Sequence, residues 1–339
     1  MDPITQGVVG AAASQLVSRR IEKIAAGVIG FLSGMAADLD VLISSSTDPL
    51  LFLEFHRHFT HSIIFIPLGA LICTLAFRVM FRRWFRRNRL SFQRTYLFSF
   101  VGYATHAVLD TCTTYGTQLF WPFSDMRVTW NTVSVIDPLF TLPLIVIITV
   151  AILKRSTGVA WLATGYAFFY LGLGVLQNGR ASDLAQELAF SRGHLPSNLG
   201  VKPSFANLLV WKSVYEYQGL YYIDAIRMLG SDKVYQGTSV EKLDIDKHFA
   251  WLDSGSQQAK DIKRFAWFSN QHLALDPNNE HRIIDVRYSL IPNQVTGMWG
   301  ITLDPSKGLA DHVEWSTNRP KGQEAMKKTA ELWGMVMGR

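Results

Sequence analysis

Apolar runs of helix-spanning length recur through the first half of the chain, near residues 24–43, 59–81, 95–118, 135–153 and 159–176. Each approaches the roughly 20 residues an α-helix needs to cross a hydrocarbon core about 30 Å thick. Five membrane spans are therefore expected. Ahead of them, MDPITQGVVGAAASQLVSRR opens on Asp2, lacks a basic leader and is short and rich in small residues, which argues against a signal peptide. Gly7, Gly10, Ala11 and Ala12 suit a short helix, re-entrant or interfacial, packed close against others.

From about Gly179 the pattern changes. Pro, Asn and Gly punctuate segments of β character, and 208–217, 221–229, 282–291 and 295–303 read as strands, flanked by helices near 181–191 and 321–337. The expected architecture is an α-helical integral membrane domain over 1–178, about five spans plus the short N-terminal helix. A soluble α+β domain over 179–339 follows, large enough to bury its own core. Trp211, Trp251, Trp267 and Trp299 are expected in that core, and Asp48 and Asp125 in solvated loops.

Composition supports a membrane protein. Of 339 residues, 48% are hydrophobic and 18% charged, against about a quarter charged in an ordinary soluble domain. A disordered chain is excluded and a wholly cytosolic enzyme disfavoured. The net charge of +6 lies mostly in the apolar half, so it reads as a determinant of membrane orientation rather than a nucleic-acid footprint. Arg82, Arg83, Arg86, Arg87, Arg89 and Arg94 crowd the connection between the second and third spans, where they also meet lipid headgroups. Lys154 and Arg155 follow the fourth, while the opposite connections hold only Arg57 and Arg127. The N-terminus is thereby expected in the cytoplasm and the distal domain outside. Cys73 and Cys112 are the only cysteines, too few for a disulfide framework or a thiolate metal site.

The candidate chemistry lies where ionisable residues interrupt the apolar half. Asp38 and Asp40 close the first run; His56, His58 and His61 open the second; His106 and Asp110 lie in the third; Asp137 opens the fourth. Ionisable groups at membrane depth are costly and point to function. With alternating span directions, all of them fall at the outer ends of their helices. His106 and Asp110 are i,i+4 and share a face, and His58 and His61 are i,i+3. Asp38 and Asp40 share one only if the helix unwinds near Ala37.

Imidazoles with carboxylates and no thiolate fit a divalent metal such as Zn, Mn or Fe, and the donors suffice for one or two ions. Such an ion activates water and polarises an acyl or phosphoryl oxygen. His58 or Asp137 would manage a proton, and Arg57 would contact a phosphate or carboxylate. Thr60, Ser62, Thr111 and Tyr115 would supply supporting hydrogen bonds. Plainer readings exist residue by residue. A single histidine is more often structural, and Asp137 before Pro138 serves equally as a helix cap.

MDPITQG at the start, DLD at 38–40, HRHFTHS at 56–62 and GYATHAVLDTCTTYGTQLFWP at 102–122 together resemble the YdjM-like family of membrane-bound metal-dependent hydrolases. The resemblance covers roughly residues 1–140. It implies an integral protein of a bacterial inner membrane, a metal and hydrolysis, and it picks out Asp38, Asp40, His56, His61, His106 and Asp110. Gln6 stands where some members have His, which weakens the N-terminal segment as a ligand donor, and His58 stands where many have Gly. The expected activity is metal-dependent hydrolysis of an amphipathic, lipid-like substrate, a phospholipid or lipid-linked phosphate, taken from the bilayer. The alternatives are a metal-binding or metal-transporting protein without catalysis, or an envelope scaffold whose distal domain holds a protein partner. Transport is disfavoured, because the inner halves of the spans offer few polar groups.

Overall fold

The computed structural model describes residues 1–339, the side chain of Asn88 excepted. The chain forms two compact units, one of residues 1–42 and 55–175, the other of 43–54 and 176–339. Its first eight helices are α1 (Pro3–Leu16), α2 (Lys23–Ala36), α3 (Leu51–Phe55), α4 (Ile66–Met80), α5 (Arg82–Asn88), α6 (Phe92–Thr111), α7 (Pro138–Lys154) and α8 (Thr157–Ser191).

Three stretches are long and apolar enough to cross a membrane: Arg20–Leu42, Ile63–Met80 and Thr157–Ser191. α7 is apolar but shorter. α6 is not among the three, because it carries Arg94, His106, Asp110 and several hydroxyl residues, of which Thr95, Ser99, His106 and Asp110 are buried. The third run was expected to stay helical to residue 118. It stops at Thr111, and the backbone turns at Gly116, whose φ is +82°, to pair Thr117 with Val128.

Helix starts follow their sequence signals. Asp2 caps α1 by accepting from Thr5 N, Ser91 caps α6 through Arg94 N, and Asp137 caps α7 through Leu139 N and Phe140 N. α1 is buried against α2, α6 and α7. Contact is close because small residues face one another. A methyl on Gly102 would come within 2.7 Å of the Gly30 carbonyl oxygen, and one on Gly34 within 2.6 Å of the Gln6 carbonyl oxygen. The absent side chains let α1, α2 and α6 approach where Gln6, Gly34 and His106 lie.

The second unit holds two antiparallel sheets. One runs β1 (Ser197–Pro203), β2 (Val210–Tyr217), β3 (Leu220–Leu229) and β4 (Ser231–Tyr235), with β5 (Ser239–Glu241) also pairing β3. The other runs β6 (Leu273–Asp276), β7 (Asn279–Asp285), β8 (Trp299–Thr302) and β9 (Glu314–Thr317). The β2–β3 hairpin turns on Gln218 and Gly219, at φ +49° and +76°, the positive pair a two-residue type I′ turn requires. Helices α9 (Ile245–His248), α10 (Gln257–Phe268) and α11 (Gly322–Val336) complete the unit. α11 seals a core of Val210, Ala225, Ile291, Leu332, Met335 and Val336.

Two expectations are corrected here. Trp211 and Trp299 are buried, but Trp251 is 42% exposed. Asp48 is not in a freely solvated loop, since Arg264 grips both its oxygens at 3.0 and 2.8 Å while also donating to Glu54 and Asp261. Burial disfavours the Asp48 charge, and the Arg264 hydrogen bonds more than offset that, so its carboxyl titrates below the ordinary value. Residues 43–54 are thus tied into this unit by ion pairs.

Candidate metal centre

α2 ends at Ala36 and continues as a 3-10 turn over Ala37–Leu42. That change of winding presents Asp38 and Asp40, two residues apart, toward the same cluster, which a regular α-helix would not do. Between residues 56 and 65 the chain makes short turns, with 3-10 segments at Phe59–His61 and Ile63–Phe65, before α4 begins. Arg57 takes a left-handed φ of +64°, an uncommon conformation for a residue with a Cβ. α6 supplies His106 and Asp110.

Asp38, His61, His106 and Asp110 each offer a ligand atom, all within 4.8 Å of one another. His106 Nδ1 lies 2.5 Å from the Gly34 carbonyl oxygen. A carbonyl only accepts, so Nδ1 carries the hydrogen and Nε2 presents a lone pair. His61 Nδ1 lies 3.0 Å from Thr60 Oγ1 and 3.2 Å from Asp40 Oδ2. The Thr60 hydroxyl donates to Asp40 at 2.8 Å, which leaves its oxygen to accept from His61 Nδ1–H. His61 Nε2 therefore presents a lone pair as well.

The two Nε2 atoms stand 2.9 Å apart. Lone pairs facing at that distance require a proton or a metal cation between them. Carboxylates complete the set: Asp38 Oδ1 is 3.5 and 3.3 Å from the two nitrogens, and Asp110 Oδ2 is 3.3 and 3.7 Å from them. Donors held about 2.0–2.1 Å from a tetrahedral ion stand roughly 3.3 Å apart, and the observed separations bracket that value. Both imidazoles have their other nitrogen engaged by a carbonyl or carboxylate, as metal-ligating histidines ordinarily do. The donor set fits a borderline divalent metal.

His61, His106 and Asp110 are fully buried, whereas the side chains of Asp38 and His56 are 16% and 31% exposed. Asp38, Asp40 and His56 form a second group of the same kind. Asp40 acts mainly as an anchor: it holds His56 Nδ1 at 2.8 Å and accepts from Arg57 N at 3.0 Å, besides its contacts to Thr60 and His61. Charge is unbalanced in favour of a cation. Against the carboxylates of Asp38, Asp40 and Asp110 stand two cationic groups, both on Asp110: the Arg57 guanidinium, whose Nε is 3.0 Å from Asp110 Oδ2, and the amino group of Met1, which contacts Asp110 Oδ1.

Arg57 is buried rather than poised for a substrate anion. It also donates to Thr113 Oγ1 at 2.9 Å and lies over the Tyr115 ring, 5.1 Å from its centroid. Two expected residues are not brought into the cluster. His58 packs its ring against Phe55, Phe59 and Trp121. Asp137 caps α7 and accepts from the Tyr170 hydroxyl at 2.9 Å. Of the supporting hydroxyls, Thr60 takes the expected part, while Ser62 and Thr111 bond their own backbone. Gln6 donates to Asp110 Oδ1 at 2.7 Å, so the N-terminal helix reaches the cluster after all. The Gly34 carbonyl, Gln6 and Thr113 carry no side-chain signal of metal chemistry, and the sequence pattern did not single them out as part of the site.

Residues 1–181, more than half the chain and every residue of the cluster, match the family described as YdjM inner membrane protein. The chain belongs to that family. It is also 35% identical over 100 residues to the protein described as Inner membrane protein YbcI of Escherichia coli (strain K12). That match covers 29% of this chain and 54% of the relative, so the chain spans about half the length of the curated relative it matches. No solved structure matches. Both descriptions speak of an inner membrane protein and neither names a reaction; the YdjM match ends before the two sheets begin.

Proposed function

We propose that this YdjM-family protein is a membrane-embedded, metal-dependent hydrolase whose substrate is an amphipathic ester, a phospholipid or a lipid-linked phosphate. One observation carries the reading: two imidazole lone pairs 2.9 Å apart, faced by two carboxylates, in a buried cluster with surplus negative charge. A divalent ion held there supplies Lewis acidity and a water of lowered pKa. Asp38, His61, His106 and Asp110 hold the ion, Asp40 and Thr60 orient His61, the Gly34 carbonyl orients His106, and Arg57 steadies Asp110. The exposed edge formed by Asp38 and His56 admits the substrate. His56, whose Nδ1 is held by Asp40, takes the proton role in place of His58 and Asp137.

The membrane domain in this reading has five spans, adding α6 and α7 to the three apolar stretches. α6 has 20 residues, about 30 Å at 1.5 Å per residue, and its Thr95, Ser99, His106 and Asp110 are buried where neighbouring helices cover them. The arginines of 82–94 keep the N-terminus cytoplasmic and the second unit outside.

A second reading, a metal staple without catalysis, is favoured by the complete burial of His61, His106 and Asp110. One experiment separates the two: the purified chain is incubated with a lipid extract and with phosphoester and acyl substrates, before and after chelation and metal restoration. Hydrolysis is expected, lost on chelation, restored by metal and reduced at least roughly 100-fold in His56→Ala. Metal retained without turnover on any substrate would leave the staple.

A further inference from the structure

α4 begins near the metal cluster and ends at a second feature that the proposed reaction does not use. A cavity of about 690 Å³ lies there, with Arg78, Arg82, Arg86 and Arg89 over an apolar floor that includes Leu75 and Val79. Among the described residues no carboxylate lines it. Arg82, Arg86 and Arg89 form no ion pair among the described residues.

The helix that carries the arginines is anchored, and so is Arg78. Phe85 and Leu90 are buried with Ala25, Ala26, Ile29 and Phe98, which pins α5 across the end of α4. Arg78 donates to the Leu90 carbonyl at 3.1 Å, and its guanidinium lies 5.3 and 5.9 Å from the Phe85 and Phe92 ring centroids. The floor continues along one exposed face of α4, through Leu68, Leu71, Ile72, Leu75 and Val79, the spacing of a single helical stripe.

We propose that this cavity binds an anionic glycerophospholipid, its phosphate among the four guanidinium groups and an acyl chain along the α4 stripe. Arginine matches phosphate oxygens in bidentate pairs, and basic pockets beside membrane helices select anionic headgroups. A zwitterionic headgroup would bring a cation into a pocket with no carboxylate to receive it. Free phosphate would satisfy the arginines and leave the stripe unmatched.

The test is native mass spectrometry of the full chain in detergent, titrated with phosphatidylglycerol, phosphatidylcholine or inorganic phosphate. Phosphatidylglycerol should be retained at concentrations roughly tenfold lower than phosphatidylcholine, and inorganic phosphate should not displace it. The preference should vanish in Arg82→Ala/Arg86→Ala/Arg89→Ala. It should vanish equally in Leu75→Trp, which fills the floor, keeps every arginine and decides the matter where the triple variant folds poorly. Equal retention of the two lipids, displacement by phosphate, or unchanged retention by Leu75→Trp would overturn the proposal. The readout is lipid retention, so its failure is independent of any failure of the hydrolase reading.

Discussion

An imidazole can ligate a metal only through the nitrogen that lacks a hydrogen, and at both central histidines a neighbour fixes which nitrogen that is. The Gly34 carbonyl does this for His106, and Asp40 with Thr60 does it for His61. Asp40→Asn keeps the size of the anchor but loses its charge, which should weaken metal affinity about 10- to 100-fold while leaving the ion count at saturation unchanged. Metal titration against a competing chelator measures it; wild-type affinity in this variant would mean that Asp40 does not orient His61. That Asp38, His61, His106 and Asp110 come together was legible in the sequence, because charge within apolar runs demands a reason. His58 is turned away from the cluster for a backbone reason. The i,i+3 spacing to His61 assumed a helix, but the left-handed Arg57 and the 3-10 turns after it point His56 at Asp40 and His58 at Trp121.

At the scale of elements, long and strongly patterned segments were readable and short ones were not. β2, β3 and α11 lie close to where their sequence placed them, whereas β1, β4, β5, β6 and β9 are short or largely exposed and left little pattern. The helix expected at 181–191 is the end of the longer α8. β2 also hides a feature its composition does not announce. Lys212 is fully buried, donating to Ser289 Oγ at 2.8 Å and to the Gln294 carbonyl at 3.1 Å, and it pairs across the strands with Lys202. Burial pushes the Lys212 amine down from 10.5 to about 7.

The sign of the consequence follows from proton counting. Below pH 7 the amine is charged in both folded and unfolded states, so the cost of burying the charge is borne in full. Between about 7 and 10.5 the folded unit holds a neutral amine while the unfolded chain still binds the proton, so stability rises with pH. Each unit of separation is worth about 1.4 kcal/mol. Thermal melts of the full chain in detergent, read by the fluorescence of the buried Trp211 and Trp299, should climb across this range. Lys212→Met should flatten the climb, and an unchanged pH slope in that variant would rule Lys212 out as its source.

For the whole molecule, hydrophobic patterning identified a helical membrane region followed by a sheet-rich region. It did not anticipate that residues 43–54 pack with the second unit, because Arg264 lies more than two hundred residues from Asp48 and Glu54. What makes the helical unit more than a bundle is the buried cluster, and the central question is whether it holds a cation. The most direct measurement is the transition-metal content of the purified full chain beside His61→Ala/His106→Ala, with folding of both checked by their melts. About one divalent ion per chain or more is predicted for the wild type, with none in the folded double variant. A wild-type chain that stays metal-free after supplementation, or a double variant with the full complement, would contradict it.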